Sequence, residues 1–306
     1  MHPTTLLILL SATLSVTSAY AVNHRHNYRS VHGGSSNRLG NINLASPTST
    51  STPAPVPTGG SSSPNSTSSG GRKRGLAFND PGLTAGFGGP GSQVTWGYNW
   101  GPSCASKIGP GLEFVAMLWG NKADRTNGWM DAANAAISGG GRCLLAFNEP
   151  DHPEQSNIDP ASAATAYQTY MNPFTGKARL GAPAVTNGGG SMGLTWLKSF
   201  MDSCGGKCQI DFVPIHWYGS CSNAADFKKH TQDAYAQTNK PIWITEFGGV
   251  DCSLDQQKTF LETVLPWLDA QSFVERYAYF GVFENSMITN GKPNDLGKTF
   301  DTFTGN

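Results

Sequence analysis

Two glutamates could do chemistry together. Glu149 ends the run Leu144-Leu145-Ala146-Phe147-Asn148-Glu149, and Glu246 ends Ile242-Trp243-Ile244-Thr245-Glu246. Each sits one step past an apolar stretch that reads as a buried strand, where a charge is costly unless it has a partner or a task. A pair of carboxyls facing each other can hydrolyse a glycoside: one protonates the leaving oxygen, and the other attacks the anomeric carbon. The acid must hold a raised pKa while its partner stays ionised, so their surroundings must differ. A separation of about 5 Å gives retention of configuration and a wider one gives inversion. A lone glutamate in a loop is ordinarily a surface ion-pairing group. Two at matched strand ends among tryptophans point to catalysis.

Positioning such a pair takes a scaffold whose strands end on one face. Apolar runs at 75–78, 94–98, 113–118, 144–147, 179–182, 210–215, 242–245 and 276–280 read as strands. Helical stretches at 129–137, 161–172, 193–202, 224–238 and 254–271 lie between them. This alternation is the signature of βα units, and eight strands in this length fit a single (β/α)8 barrel. An open doubly wound sheet is the competitor, but the first strand is followed by Asn79-Asp80 and not by a glycine-rich phosphate turn. Asn99-Trp100, Trp119, Asn148-Glu149, His216-Trp217-Tyr218 and Glu246-Phe247 all follow strands. In a barrel these ends converge on the catalytic face, with strands four and seven opposite each other.

The residues around the pair suit sugar. Indole rings cover the flat C–H faces of pyranoses, so Trp100, Trp119 and Trp217 are the expected platforms, with Asn99 a further substrate contact. Asn148 is placed to bond a sugar hydroxyl, and His216 and Tyr218 to orient the nucleophile. A core role for His216 carries equal weight, and strand alternation turns His216 and Trp217 to opposite faces. Trp129, Trp196 and Trp267 fall in helices and read as core, and Trp243 as barrel packing. Gly189-Gly190-Ser191-Met192-Gly193 matches a serine-hydrolase elbow, but the strand that must enter it directly is missing. No histidine and cysteine spacing suits a metal, and no cofactor is called for.

The chain has 306 residues, of which 21 are basic and 21 acidic. Only 14% are charged, which excludes a nucleic-acid binder. The one long apolar run is N-terminal, which excludes a polytopic membrane protein. Residues 1–21 read as a secretory signal ending in Ala19-Tyr20-Ala21. Residues 22–74 hold six basic side chains and no acidic one, and 23 of the 27 residues at 45–71 are Ser, Thr, Pro or Gly. That segment reads as a disordered, O-glycosylated stalk with a sequon at Asn65-Ser66-Thr67. It ends in Arg72-Lys73-Arg74, either a processing site or cations solvating the first strand. The domain proper, 75–306, keeps 15 basic and 21 acidic residues. A secreted monomer, free or associated with the cell wall, is expected, clear of the membrane once the signal is removed.

In an oxidising compartment the six cysteines are disulfide candidates. Cys204 and Cys208 can close a tight loop, and Cys221 and Cys252 follow neighbouring strands. Cys104 and Cys143 sit at opposite ends of their strands, roughly 17 Å apart for five residues, and are expected to be free.

Four segments together resemble glycoside hydrolase family 128. They are Leu145-Ala146-Phe147-Asn148-Glu149-Pro150-Asp151, Gly181-Ala182-Pro183-Ala184-Val185, His216-Trp217-Tyr218-Gly219 and Trp243-Ile244-Thr245-Glu246-Phe247-Gly248. Lys73-Arg74-Gly75-Leu76-Ala77 and Tyr98-Asn99-Trp100 fit the same pattern. The resemblance implies a retaining (β/α)8 enzyme acting on β-1,3-glucan, endo-acting by preference, with Glu149 as acid/base and Glu246 as nucleophile. The competing expectation is a non-hydrolytic β-glucan-binding protein of the wall on the same fold.

Overall fold

The computed structural model describes residues 71–305; the signal and nearly all of the stalk lie outside the described residues. Nine strands carry the fold: β1 (Arg74–Phe78), β2 (Val94–Tyr98), β3 (Glu113–Phe114), β4 (Ala116–Met117), β5 (Cys143–Leu145), β6 (Arg179–Leu180), β7 (Val213–Gly219), β8 (Ile242–Gly249) and β9 (Val274–Val282). Every pairing among them is parallel. They form two ladders, β3-β2-β1-β9-β8-β7 and β4-β5-β6. Val115 separates β3 from β4, so one barrel strand belongs to both ladders; its N–H bonds Gly97 O at 2.9 Å, and Met117 N–H bonds Gly101 O at 3.0 Å. Single bridges, Gly181 to Phe212 and Val185 to Ile215, join the other seam. With β3 and β4 counted once, eight strands make the round that the sequence predicts.

The outer layer is α1 (Ala123–Thr126), α2 (Trp129–Ser138), α3 (Pro160–Tyr170), α4 (Gly193–Cys204), α5 (Ala224–Thr238), α6 (Leu254–Ala270) and α7 (Asp295–Thr302). Side chains fix several starts: Asp159 caps α3, Asn223 caps α5, and Ser253 with Gln256 forms a capping box on α6. β1 leads only into a 3-10 turn at Pro81–Gly86. A hairpin of β10 (Ile288–Thr289) and β11 (Lys292–Pro293) precedes α7, which buries Leu296 and Phe300 on one face.

Two hydrophobic layers follow from strand alternation. Ala77, Trp96, Tyr98, Val115, Met117, Leu145, Phe212 and Trp243 fill the barrel interior, while Val213, Ile215, Trp217, Ile242, Ile244 and Phe247 pack outward with the helices. Trp129 and Trp196 are buried and Trp267 packs against the same layer, as expected of core tryptophans. Trp243 stacks on Phe212 at 4.0 Å between ring centroids inside the barrel.

At the base, where the strands begin, charges pair. Arg179 bonds Glu275, Trp243 Nε1 donates to Glu275 at 3.1 Å, and Arg276 Nη2 donates to Glu113 at 2.6 Å. The basic triplet at 72–74 also belongs here: Arg72 is exposed with its guanidinium donating to Ser92 O at 2.7 Å, and the other two cations are bound into the domain. Arg74 opens β1 and is wholly buried. Its guanidinium donates to Tyr277 OH (2.9 Å), Phe300 O (2.8 Å) and Asp269 (2.9 Å). Lys73 Nζ caps the end of α6 through Leu268 O, Asp269 O and Gln271 O. In the folded domain Lys73 and Arg74 are structural clamps.

Cys204–Cys208 and Cys221–Cys252 are disulfides, and Cys104 and Cys143 are free.

Candidate active site

The two glutamates meet at the ends of their strands, both with no exposed surface. One carboxylate oxygen from each, with one ring nitrogen of His216, lie within 4.8 Å of one another. Both strands run further than their apolar runs suggest, because the catalytic residues continue the ladder. His216 and Tyr218 lie inside β7, and Glu246 lies inside β8.

Alternation explains β7. Val213, Ile215 and Trp217 face the helices, so His216 and Tyr218 face the barrel axis. A bulge explains β8. Ile215 pairs with Ile244 and His216 with Glu246, leaving Thr245 as an extra residue. Ile244 and Phe247 both face outward, so Thr245 and Glu246 both reach the interior. Re-aiming a side chain beside a site is a recurring use of bulges. Glu149 is placed by a turn after β5 in which its φ is +40°. Its N–H bonds Ala184 O at 2.7 Å, and Asn148 N–H bonds Trp119 O at 2.9 Å. Asp151 ties this turn to the next loop, accepting from Thr186 Oγ1 (2.5 Å) and Gly193 N–H (2.8 Å).

The surroundings of the two carboxyls differ. Glu246 accepts from Trp100 Nε1 at 2.7 Å on Oε1 and from Tyr218 OH at 2.6 Å on Oε2. Such charge-assisted bonds stabilise an ionised carboxylate. Burial, then the neighbouring carboxylates, push the Tyr218 hydroxyl well above its ordinary range, so it stays a donor. Glu149 Oε1 is bonded to His216 Nδ1 at 2.8 Å, while its Oε2 is buried with no hydrogen-bond partner among the described residues. Burial raises the Glu149 carboxyl despite its bond to His216, and Glu246 adds to the rise. His216 Nε2 bonds Thr245 Oγ1 at 3.0 Å and lies 3.6 Å from Glu246 Oε1. Burial would lower this imidazole, but the two carboxylates outweigh it and raise its pKa. Both shifts retain a proton between Glu149 and His216, beside the doubly hydrogen-bonded Glu246. Neutral donors on both oxygens of Glu246 suit a carboxylate that reacts more than one that ligates a cation.

The other expected contacts divide. Asn148 is buried beside Glu149 with its Oδ1 unpartnered, open to a hydroxyl. Trp119 is half-buried, with the Arg125 guanidinium 4.6 Å over its ring. Trp100 bonds the nucleophile candidate where a platform was expected. Asn99 shapes its own loop, bonding Ser103 O and Gly101 N–H. Trp217 points away from the pair: it is wholly buried against Phe227 and Phe260, and its Nε1 donates to Asp226. It belongs to the helix-facing layer and offers a sugar no surface, which alternation along β7 already required. Sequence reasoning missed Thr245 and Tyr98, whose OH bonds Thr245 O at 2.9 Å; neither shows a signal until the bulge places them. Ser191 is exposed in a loop.

Comparisons with known proteins identify the family of this domain. Residues 75–300 match the family described as glycosyl hydrolase catalytic core. Alkali-sensitive linkage protein 1 of Schizosaccharomyces pombe (strain 972 / ATCC 24843) is 36% identical over 222 residues, 68% of this chain; the chain spans 38% of that protein's length. The structure of a curdlan-specific exo-β-1,3-glucanase from Blastomyces gilchristii, of family 128 subgroup III, is 42% identical, with a TM-score of 0.71 over 76% of this chain and 98% of that one. An endo-β-1,3-glucanase from Amycolatopsis mediterranei, of subgroup I and bound to laminarihexaose, is 32% identical, with a TM-score of 0.64 over 75% and 98%. The chain belongs to the glycosyl hydrolase catalytic core family, and within it to glycoside hydrolase family 128.

Proposed function

We propose that this domain is a retaining β-1,3-glucanase that works outside the cell. One observation carries the stereochemistry: carboxylate oxygens of Glu149 and Glu246 lie within 4.8 Å, the close spacing of about 5 Å that leaves no room for an inverting water. Glu149 gives its proton to the glycosidic oxygen as a Glu246 oxygen bonds the anomeric carbon and the glycosidic bond breaks. Glu149, now a carboxylate, takes a proton from water. The water oxygen then bonds the same carbon, the ester bond breaks, and Glu246 leaves as a carboxylate. The unpartnered Oε2 of Glu149 suits the acid oxygen that meets the leaving group. The raised Glu149 carboxyl keeps that proton at pH values where an ordinary glutamate has lost it.

The β-1,3 linkage rests on the relatives, a curdlan-specific glucanase and one bound to laminarihexaose. Cleavage within the chain is the first reading, shared with the endo-acting relatives at 27–32% identity. Release from a chain end is the second, favoured by the 42% identical exo-acting structure. The domain acts as a monomer, after signal removal, on wall or extracellular glucan.

NMR of the first products formed from linear β-1,3-glucan is the test. The β-anomer appearing first supports the assignment, and the α-anomer first would refute retention. Tight oligosaccharide binding without any hydrolysis would instead establish a wall-binding role. The product lengths decide between internal and terminal cleavage.

A further inference from the structure

Trp100 is committed in a way that a sugar platform is not. It follows β2 with φ of +58°, a left-handed conformation that costs a non-glycine residue about 1–3 kcal/mol and persists only where surroundings impose it. The surroundings here are specific. Asn99 accepts from Gly101 N–H at 3.1 Å and donates to Ser103 O at 3.0 Å, and Met117 N–H bonds Gly101 O, so the loop is bound on both sides of the tryptophan. The indole stacks on Phe283 at 6.2 Å and 17°, meets Phe280 edge-on at 5.8 Å, and leans on Tyr98 at 5.1 Å. A ring held by three aromatic neighbours cannot swing, and its N–H lies 2.7 Å from Glu246 Oε1.

We infer that Trp100 is a positioning residue for the nucleophile: its indole N–H fixes Oε1 of Glu246, the oxygen that also lies 3.6 Å from His216 Nε2. This rests on the assignment of Glu246 as nucleophile. The chemistry favours a neutral donor at this point. An arginine in its place would hold the carboxylate ionised, but would pair with the electrons that must attack carbon. An indole N–H is donor-only, cannot take a proton from Glu149, and cannot compete as an acceptor with the substrate. Tyr218 grips Oε2 from β7 and Trp100 grips Oε1 from the β2 loop. The carboxylate plane is thereby fixed from two separate elements, and rotation of the attacking group is suppressed.

The Trp100→Phe change keeps the packing ring and removes the N–H. In the full chain it should lower kcat about 10- to 100-fold, the loss expected for one donor to a reacting oxygen in a dry site. KM should change little, and the acid limb of the pH profile should move to higher pH. The deciding comparison uses Glu246→Ala with azide as external nucleophile and an aryl β-glucoside of the oligosaccharide as donor. Azide then bonds the anomeric carbon, the glycosidic C–O bond breaks, and the aryloxide departs with its electron pair. If Trp100 acts through Glu246, adding Trp100→Phe to Glu246→Ala leaves the azide-dependent rate unchanged. A further 10-fold loss in that double variant would overturn the inference, since the ring would then be serving sugar or scaffold directly. Full activity of Glu246→Ala without azide would overturn the nucleophile assignment instead, and the two failures are separate. A measurement without any Trp100 variant stands beside these: among the eight indole N–H signals, one should shift on Glu246→Ala, and no shift would also refute the contact.

Discussion

The two ends of the barrel hold glutamates of the same chemistry with opposite kinds of partner. At the base, Glu275 faces Arg179 and Glu113 faces Arg276. Burial would raise Glu275, but the guanidinium and its hydrogen bonds win and hold its carboxyl below the usual range. At the mouth no lysine or arginine bonds the pair among the described residues. Glu149 sees an imidazole and Glu246 sees an indole and a phenol, and burial sets the direction for Glu149. Cations quench a carboxylate into structure, and neutral donors under burial leave it able to exchange a proton or attack carbon. Partner and depth together separate scaffold from site: residue type is shared, but the base glutamates are half-buried beside guanidinium groups while the mouth pair has no exposed surface.

Removing the mouth carboxylate should produce the largest effect. Glu246→Ala is expected to cost about 10^3-fold or more in hydrolysis of β-1,3-glucan at unchanged melting temperature, as nucleophile deletions do; reducing-sugar release and calorimetry check it. Tyr218→Phe comes next, with a loss of about 10- to 100-fold in kcat and an acid limb moved to higher pH, because one donor to the charged form is gone; a pH profile reads it.

The base should respond the other way. Arg74→Met strands the carbonyl of Phe300, takes a donor from Tyr277 and Asp269, which keep the bond between them, and should destabilise by about 3 kcal/mol. That lowers the melting temperature by roughly 6–12 °C for a domain of this size, while activity per folded molecule holds. An equal loss of activity would show that the two ends are coupled.

The smallest effects are linked to pH, and their signs oppose. Glu149 has a raised folded pKa, so its favourable contribution is complete below the ordinary glutamate value and is lost as pH rises through the folded one. Glu149→Gln should therefore be inactive yet more stable than the parent at alkaline pH. Glu275 has a lowered folded pKa, so its contribution is present above the ordinary value and lost as pH falls through the folded one. Glu275→Gln should weaken the protein near neutrality and flatten its acid denaturation. Melting curves across pH that show the same slope for both variants would remove the contrast.

Much of this was legible in the residues. Eight apolar runs and their intervening helices located the strands, because strand and helix periods are strong where both faces of a sheet are covered. The pair was legible because charge beside apolar strand residues is rare. The role of Trp100 was not, since its backbone sign and aromatic neighbours are tertiary facts. Thr245 needed the bulge, which no period announces. Arg74 read as a surface cation because its partners, Asp269, Tyr277 and Phe300, lie about two hundred residues away.

That separation of 226 residues between Arg74 and Phe300 has a kinetic consequence. The first strand cannot bury its guanidinium until the last helix exists, so closure of the round is a late, long-range event. During synthesis the first strand must wait, unsatisfied, for almost the whole domain to emerge. Chains arrested before Phe300 should stay open to proteolysis around 72–78, and extension by a few tens of residues should close that region abruptly.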